Sequence, residues 1–218
     1  MKKLTISKWA SVASLVLFGS SPVWADLGAE VLHLQQRWAE VNYQLDGKAQ
    51  ITAFETLMDD AAGVTAQYPQ EAPAWIWSGI IKSTYAGAKG GIGALKFAKA
   101  SRADLEKAMK IEPEAMNGSA YTSLGTLYFN VPGWPVGFGD DEKAEELLLK
   151  AVTINPDGID SNYFYGDYLK AEKRYQEAEA FFLKARSAPG RPDRPLADAG
   201  RQEEIALALL EVREKLGK

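Results

Sequence analysis

The feature that most constrains the fold is a long-period repeat whose units end in proline or glycine. Pro69, Pro113 and Pro156 lie 44 and 43 residues apart, and Gly190 follows 34 residues after the last of them. A period of roughly 20 to 50 residues indicates a repeat protein, in which each unit buries its apolar face against its neighbours. The unequal spacing predicts one motif that carries insertions in its earlier copies.

The unit from Ile159 to Gly190 shows the motif without an insertion. Small residues at 166, 178 and 185 allow two antiparallel helices to approach closely. Larger side chains fill the space between these helices, namely Tyr165, Leu169 and Phe182. The unit therefore predicts a helical hairpin, and its repetition predicts a row of such hairpins.

This pattern resembles the tetratricopeptide (TPR) repeat, and the resemblance covers Trp38 to Gly190. It implies an all-α fold, a TPR-like right-handed α-solenoid of four helical hairpins with a C-terminal capping helix. We expect the hairpins at residues 28–69, 72–113, 118–156 and 159–190, and the capping helix at residues 196–216. The capping helix carries apolar residues on one face and arginine and glutamate on the other, so we expect it to cover the exposed end of the solenoid.

The first 25 residues have the layout of a secretory signal peptide. Lys2 and Lys3 precede an apolar run at residues 9–18, and small residues lead up to Ala25. We expect cleavage after Ala25 and a mature domain at residues 26–218, in the periplasm or secreted. The apolar run is too short to cross a bilayer, so no membrane span is expected.

The residue composition argues against the common kinds of catalytic and metal site. The chain has no cysteine and one histidine, His33, which excludes disulfides, thiolate ligands and a His-based metal site of the usual kind. No nucleophile motif is present. The sequence therefore predicts a protein that is not an enzyme and that needs no cofactor and no metal.

Two polar segments have simple structural interpretations. The glycine-rich stretch at residues 87–93 lacks the Gly-Lys-Ser/Thr ending of a phosphate-binding loop, so it predicts a turn with positive φ. Asp140 stands before a helical pattern and predicts an N-terminal helix cap.

Beyond residue 25 the chain has 22 basic and 29 acidic residues, a net charge of −7, which disfavours nucleic acid as a partner.

The TPR resemblance also implies where a partner binds, because the first helix of each hairpin lines the concave surface. The residues implied to contact a partner are Tyr43, Ile76, Trp77, Ile80, Thr126, Phe129, Tyr163, Phe164 and Asp167. This set is aromatic and mostly uncharged, and it predicts a protein or peptide partner, with Trp77 and Tyr163 as principal contacts. The alternative is that these aromatics only fill the interior, against the final helix or the inserted loops.

The insertion at residues 131–139 contains two aromatic residues that a minimal hairpin turn does not need. We predict that Trp134 and Phe138 fold back onto their own hairpin or a neighbouring one, where they shape one end of the groove. The sequence of this region is similar to that of exported bacterial TPR proteins. Both inserted turns also resemble the T component of TRAP transporters, a periplasmic helical-repeat lipoprotein, although this chain lacks the lipidated cysteine.

The second resemblance implies an alternative function. The chain would be a small-ligand-binding accessory component of a TRAP-type transport system, enclosing an apolar or carboxylate-bearing solute. The principal interpretation is a periplasmic adaptor that binds a protein through its concave surface.

Overall fold

The computed structural model describes residues 23–218, so the predicted signal peptide lies almost entirely outside the described residues. This part of the chain contains nine α-helices, one short 3₁₀ turn and no strand, which confirms the all-α solenoid. The helices are α1 Val23–Gln44, α2 Gly47–Gln67, α3 Ala72–Lys89, α4 Leu95–Ile111, α5 Ala115–Asn130, α6 Asp141–Ile154, α7 Ile159–Ala171, α8 Tyr175–Arg186 and α9 Pro195–Lys215.

The first eight helices form four hairpins that stack in chain order. Within each hairpin the two helices pack together, α1 with α2, α3 with α4, α5 with α6 and α7 with α8. Each hairpin also packs on the next one through α2 and α3, α4 and α5, and α6 and α7. None of the helices within residues 23–218 combines the length and the apolarity needed to cross a membrane.

Three hairpins have a glycine where their two helices approach most closely. A Cβ atom at Gly79, Gly125 or Gly166 would lie 2.6 Å from Leu105, 2.7 Å from Leu148 and 2.9 Å from Phe182, respectively. Real Cβ atoms almost never approach a neighbour this closely, so the large residue of the second helix occupies the space that glycine leaves. The small residues in the repeat therefore have the packing function that the sequence pattern predicts.

The two polar segments fold as predicted. Gly90 and Gly91 have φ values of +61° and +67°, which confirms the positive-φ turn between α3 and α4. This link is only five residues long, because most of the extra residues in the second hairpin lengthen its helices to 18 and 17 residues. At the start of α6 the Asp140 side chain accepts a hydrogen bond from the backbone N–H of Lys143 at 2.9 Å, which confirms the cap.

The last helix joins the two ends of the solenoid. In its second half Ile205, Leu209 and Val212 are buried in one core cluster with residues of α7 and α8. In its first half Ala197 is buried in another cluster with residues of α1, α2 and α3. The helix therefore covers the end of the fourth hairpin, as a capping helix does, and also reaches the first hairpin.

Candidate protein-binding groove

The candidate site is the concave surface formed by the first helices of the four hairpins, which we call the groove. α1, α3, α5 and α7 pack side by side, each against the next in this series. The second helices of the hairpins, α2, α4, α6 and α8, cover the opposite side of this row. The free faces of the four helices therefore line the interior of the curved solenoid, where TPR proteins bind their partners.

The groove is covered by the chain's own C-terminal segment. We call this segment the arm and define it as residues 191–215, which comprise a short loop and α9. Within the described residues, α9 makes close backbone contacts with α1, α7 and α8, and none with α3 or α5. α9 thus crosses the groove from its last helix to its first without close backbone contact with the middle helices.

Asp160, in the first turn of α7, binds two arginines of the arm. Arg191 donates a hydrogen bond from Nη1 to Oδ2 of Asp160 at 2.7 Å, and Arg201 donates from Nε to Oδ1 at 3.0 Å. Within the arm, Arg191 also donates from Nε to Asp198 at 2.6 Å, and Arg201 pairs with Glu204. This network attaches the arm to the groove through charge-assisted hydrogen bonds.

The charges of this network perturb its pKa values. Burial tends to raise the pKa of Asp160, but the positive charges of Arg201 and Arg191 outweigh it and lower that pKa from 3.8 to about 2. Burial and the nearby charge of Arg191 lower the pKa of Arg194 below its ordinary value, to about 10. Asp160 and the arginines are therefore charged at neutral pH.

Two arginines of the arm also lie over aromatic rings of the groove. The Arg201 guanidinium is 4.3 Å from the ring centroid of Tyr163 and 4.5 Å from that of Phe164. The Arg194 guanidinium is 5.0 Å from the ring of Trp77. Contacts of this geometry are cation–π interactions, and desolvation strengthens them. Three aromatic residues that the TPR resemblance assigns to a partner therefore contact the arm instead.

Tyr43 contacts the arm through its ring. A Cβ atom at Gly200 of α9 would lie 2.4 Å from Cδ1 and Cε1 of Tyr43, so only glycine allows this approach. On its other side the Tyr43 ring meets Trp38 edge-on, with 5.8 Å between the ring centroids. The first and last helices of the chain are therefore in direct contact.

Ile76 and Trp77 are both buried, with exposed fractions of 0% and 3%. The assignment of Ile76 to a partner-binding surface is corrected, because α3 is packed by α1, α2, α4 and α5 and Ile76 lies in the core between them. Trp77 lies beneath Trp38, with 6.0 Å between ring centroids, and beneath Arg194. A partner can reach Trp77 only when the arm moves away.

The other assigned groove positions are half-buried: Ile80, Thr126, Phe129 and Asp167. Phe129 meets the ring of Tyr168 edge-on at 5.4 Å, and Asp167 pairs with Lys170 at 3.1 Å. These side chains retain some exposed surface along α3, α5 and α7. They remain candidate contact residues.

The aromatic residues of the insertion at residues 131–139 behave differently from each other. Phe138 packs edge-on against Tyr128 of α5 at 5.6 Å, and the Arg102 guanidinium lies 5.1 Å from both rings. The prediction that Phe138 folds back onto the hairpins is therefore confirmed. For Trp134 it is wrong, because 90% of this residue is exposed.

Sequence reasoning did not identify the charged contacts of the groove. It placed the arginines of the last helix on the face opposite the apolar one and assigned them no contact, whereas Arg201 is only 6% exposed. The seven-residue spacing of Arg194 and Arg201 would place both on one side of a continuous helix, but in the structure Arg194 precedes α9, which begins at Pro195. In the described part of the chain no cluster of three or more His, Cys, Asp or Glu residues could hold a metal ion.

A solved structure resembles this arrangement of stacked helical hairpins over most of the chain. The structure aligns with TTC0263, a thermophilic TPR protein of Thermus thermophilus, with a TM-score of 0.55 and 16% sequence identity. The alignment covers 84% of this chain and 99% of TTC0263. The chain has a TPR fold. At this sequence identity the similarity shows the fold alone, and it confirms the TPR resemblance seen in the sequence.

Two further structures are similar over most of their length but with lower TM-scores. The MamA protein has a TM-score of 0.43 and 15% identity, with 86% of this chain and 92% of MamA aligned. Pseudomonas aeruginosa pilF has a TM-score of 0.35 and 13% identity, with 87% and 92% aligned. No family model matches the sequence. No curated protein matches it either. The resemblance to the TRAP T component has no support from these comparisons.

Proposed function

We propose that this TPR protein is a non-catalytic adaptor that binds a protein or peptide segment in its groove. The observation that carries the proposal is that the groove already holds a helix, the chain's own arm. It holds that helix through an ion pair at Asp160, guanidinium contacts on Tyr163 and Phe164, and a close helix contact at Gly200. A surface with these features recognises a helical segment of protein.

Site-specific photocrosslinking tests this proposal in the full chain. Benzoylphenylalanine replaces Phe129 in the groove and, as a matched control, Leu149 on the outer side of α6, which is 48% exposed. We expect a discrete adduct with one partner from position 129 and none from position 149. An adduct that forms only from position 149, or equally from both, would place the partner outside the groove and contradict the proposal.

We further propose that the adaptor works in the periplasm, because residues 1–25 have the pattern of a signal peptide. Mass spectrometry of the chain purified from a periplasmic fraction provides the test. The expected N-terminus is Asp26. An intact N-terminus in the cytoplasmic fraction would contradict this location.

The alternative function, a small-ligand-binding component of a transport system, would need a cavity that encloses a solute. The cavity between α1 and the start of the arm has a volume of about 200 Å³ and is lined by polar and apolar residues, among them Gln35, Arg194 and Leu196. Sites for small molecules usually enclose roughly 300–1,000 Å³, which is more than this cavity holds. The groove is therefore better suited to a protein segment than to an enclosed solute.

A further inference from the structure

We infer that the groove recognises an arginine-bearing α-helix, and that the first half of the arm, residues 191–204, is an internal form of this ligand that a partner helix replaces. The inference rests on the proposed adaptor function, because it names the chemistry of the partner segment. Three features of the contact between the arm and the groove define that chemistry.

The first feature is a pair of guanidinium sites. Asp160, Tyr163 and Phe164 together surround Arg201, while Trp77 lies under Arg194. The planar guanidinium group can donate hydrogen bonds and stack on aromatic rings at the same time, and an ammonium group cannot do both equally well. Arg194 directly precedes α9 at its N-cap position and Arg201 lies in its second turn, so the two sites select one arginine at the start of a helix and another seven residues later.

The second feature is a requirement for glycine just before the second arginine. The Tyr43 ring lies so close to Gly200 that a Cβ atom there would be 2.4 Å from the ring. A helix that places its second arginine on Asp160 must therefore present glycine to Tyr43. Together the two features specify a segment with an arginine directly before a helix. In that helix five residues come first, and glycine and the second arginine follow them.

The third feature is that the arm satisfies the groove incompletely. Trp77 Nε1 and Arg194 Nε are buried hydrogen-bond donors, and neither has an acceptor within the described residues. A buried donor without an acceptor loses the free energy of its hydration. A partner helix that brings a carboxylate or amide oxygen against one of these two nitrogens would supply an acceptor that the arm does not provide.

The arm is also connected so that its first half can leave the groove alone. Residues 187–194 between α8 and α9 are not helical. Ile205, Leu209 and Val212 keep the second half of α9 packed on the fourth hairpin. Unwinding residues 191–204 would therefore open the groove between α1 and α7 while the core of the last hairpin stays covered.

Binding of a labelled peptide to the full chain tests the inference. The probe is a fluorescein-labelled peptide with the sequence of residues 189–204, and the readout is fluorescence anisotropy. Gly200→Ala loosens the chain's own arm without changing any groove residue, and Gly63→Ala is the matched control because a Cβ there meets nothing within 4 Å. We expect Gly200→Ala to bind the probe at least tenfold more tightly than wild type or Gly63→Ala.

Changes in the peptide and in the groove show whether the guanidinium sites are responsible. Replacing the two peptide arginines that correspond to Arg194 and Arg201 with lysine should weaken binding to Gly200→Ala at least tenfold. Adding Asp160→Asn to Gly200→Ala should have a similar effect. If Gly200→Ala does not fold, Arg191→Ala loosens the same arm through its ion pairs with Asp160 and Asp198.

Equal binding by Gly200→Ala and Gly63→Ala, or equal binding of the arginine and lysine peptides, would overturn the inference. If position 129 still crosslinks to a partner in that case, the adaptor function stands and only the arginine-helix chemistry is wrong. If the loosened variant instead forms a stable dimer by exchanging arms, the occupant is a second copy of the chain. Light scattering at several protein concentrations detects that outcome, which would also overturn the inference of a separate partner.

Discussion

Gly200 of the last helix lies against the ring of Tyr43 in the first helix, at a distance that leaves no room for a Cβ atom. This contact closes the solenoid on itself, because α2 to α8 lie between these two helices in the chain. Nearby, Gln36 of α1 donates a hydrogen bond to the backbone carbonyl of Asp193 at 3.2 Å. The groove of this TPR fold is therefore crossed by the chain's own arm, while side chains such as Phe129 keep some exposed surface.

Gly200→Ala should therefore loosen the arm and destabilise the fold. Overpacking of this kind costs about 1–3 kcal/mol, and the better helix propensity of alanine returns up to about 1 kcal/mol. We expect a net loss in the free energy of unfolding and faster hydrogen exchange in residues 197–204 than in residues 205–212. Urea unfolding and hydrogen-exchange mass spectrometry measure the two effects. Uniformly slow exchange along α9 would show that Tyr43 moves aside instead.

Asp160→Asn should destabilise the attachment of the arm. Removing one partner of a buried ion pair costs roughly 3–5 kcal/mol, and because the Asp160 side chain is 33% exposed, solvent screening reduces this to about 1–2 kcal/mol. The measurement is urea unfolding at pH 7, with Asp157→Asn as the control, since Asp157 is exposed. A loss of equal size in both variants would contradict a specific contribution from Asp160.

The Asp160 carboxylate should also make the free energy of unfolding depend on pH. Its pKa is about 2 in the folded chain against 3.8 ordinarily, so the folded state favours the ionised form. The resulting stabilisation is present above about pH 4 and is lost as the pH falls from about 4 to about 2. Urea unfolding at steps across this range should show a steeper loss for wild type than for Asp160→Asn. If the stability of wild type and of Asp160→Asn falls equally with pH, Asp160 is not the source of the pH dependence.

Gly125→Ala should weaken the third hairpin. A Cβ atom at this position would lie 2.7 Å from Cγ of Leu148, which is fully buried. We expect the free energy of unfolding to fall by about 1–3 kcal/mol. Gly87→Ala in α3 is the control, because a Cβ there meets nothing within 4 Å and alanine favours the helix by up to about 1 kcal/mol. Thermal unfolding of both variants should shift in opposite directions.

The two aromatic residues of the insertion should contribute very differently to stability. Phe138→Ala removes the contacts with Tyr128 and Arg102 and should cost about 1–2 kcal/mol of unfolding free energy. Trp134→Ala should change it by less than about 0.5 kcal/mol, because the ring is 90% exposed. Chemical unfolding of the two variants gives the comparison. Equal losses would mean that Trp134 packs on the protein in solution.

The hairpins were predictable because their determinants are local in the sequence. Gly166 and Phe182 meet across one turn, so the spacing of small and large residues directly reports the packing of neighbouring helices. The Gly90–Gly91 turn and the Asp140 cap follow from similarly local rules of backbone conformation and hydrogen bonding. The exposure of Trp134 was not predictable, because an aromatic ring in a loop packs only if a nearby surface can receive it.

By itself the sequence determined the helices and their pairing into hairpins, since a helical period and short turns act over a few tens of residues. Only the tertiary structure decided that the groove is occupied. Gln36 and Asp193 meet although they are 157 positions apart, and no periodicity reports such a contact. Whether Arg201 faces solvent or Asp160 depends on where the curvature of four stacked hairpins brings the first and last helices.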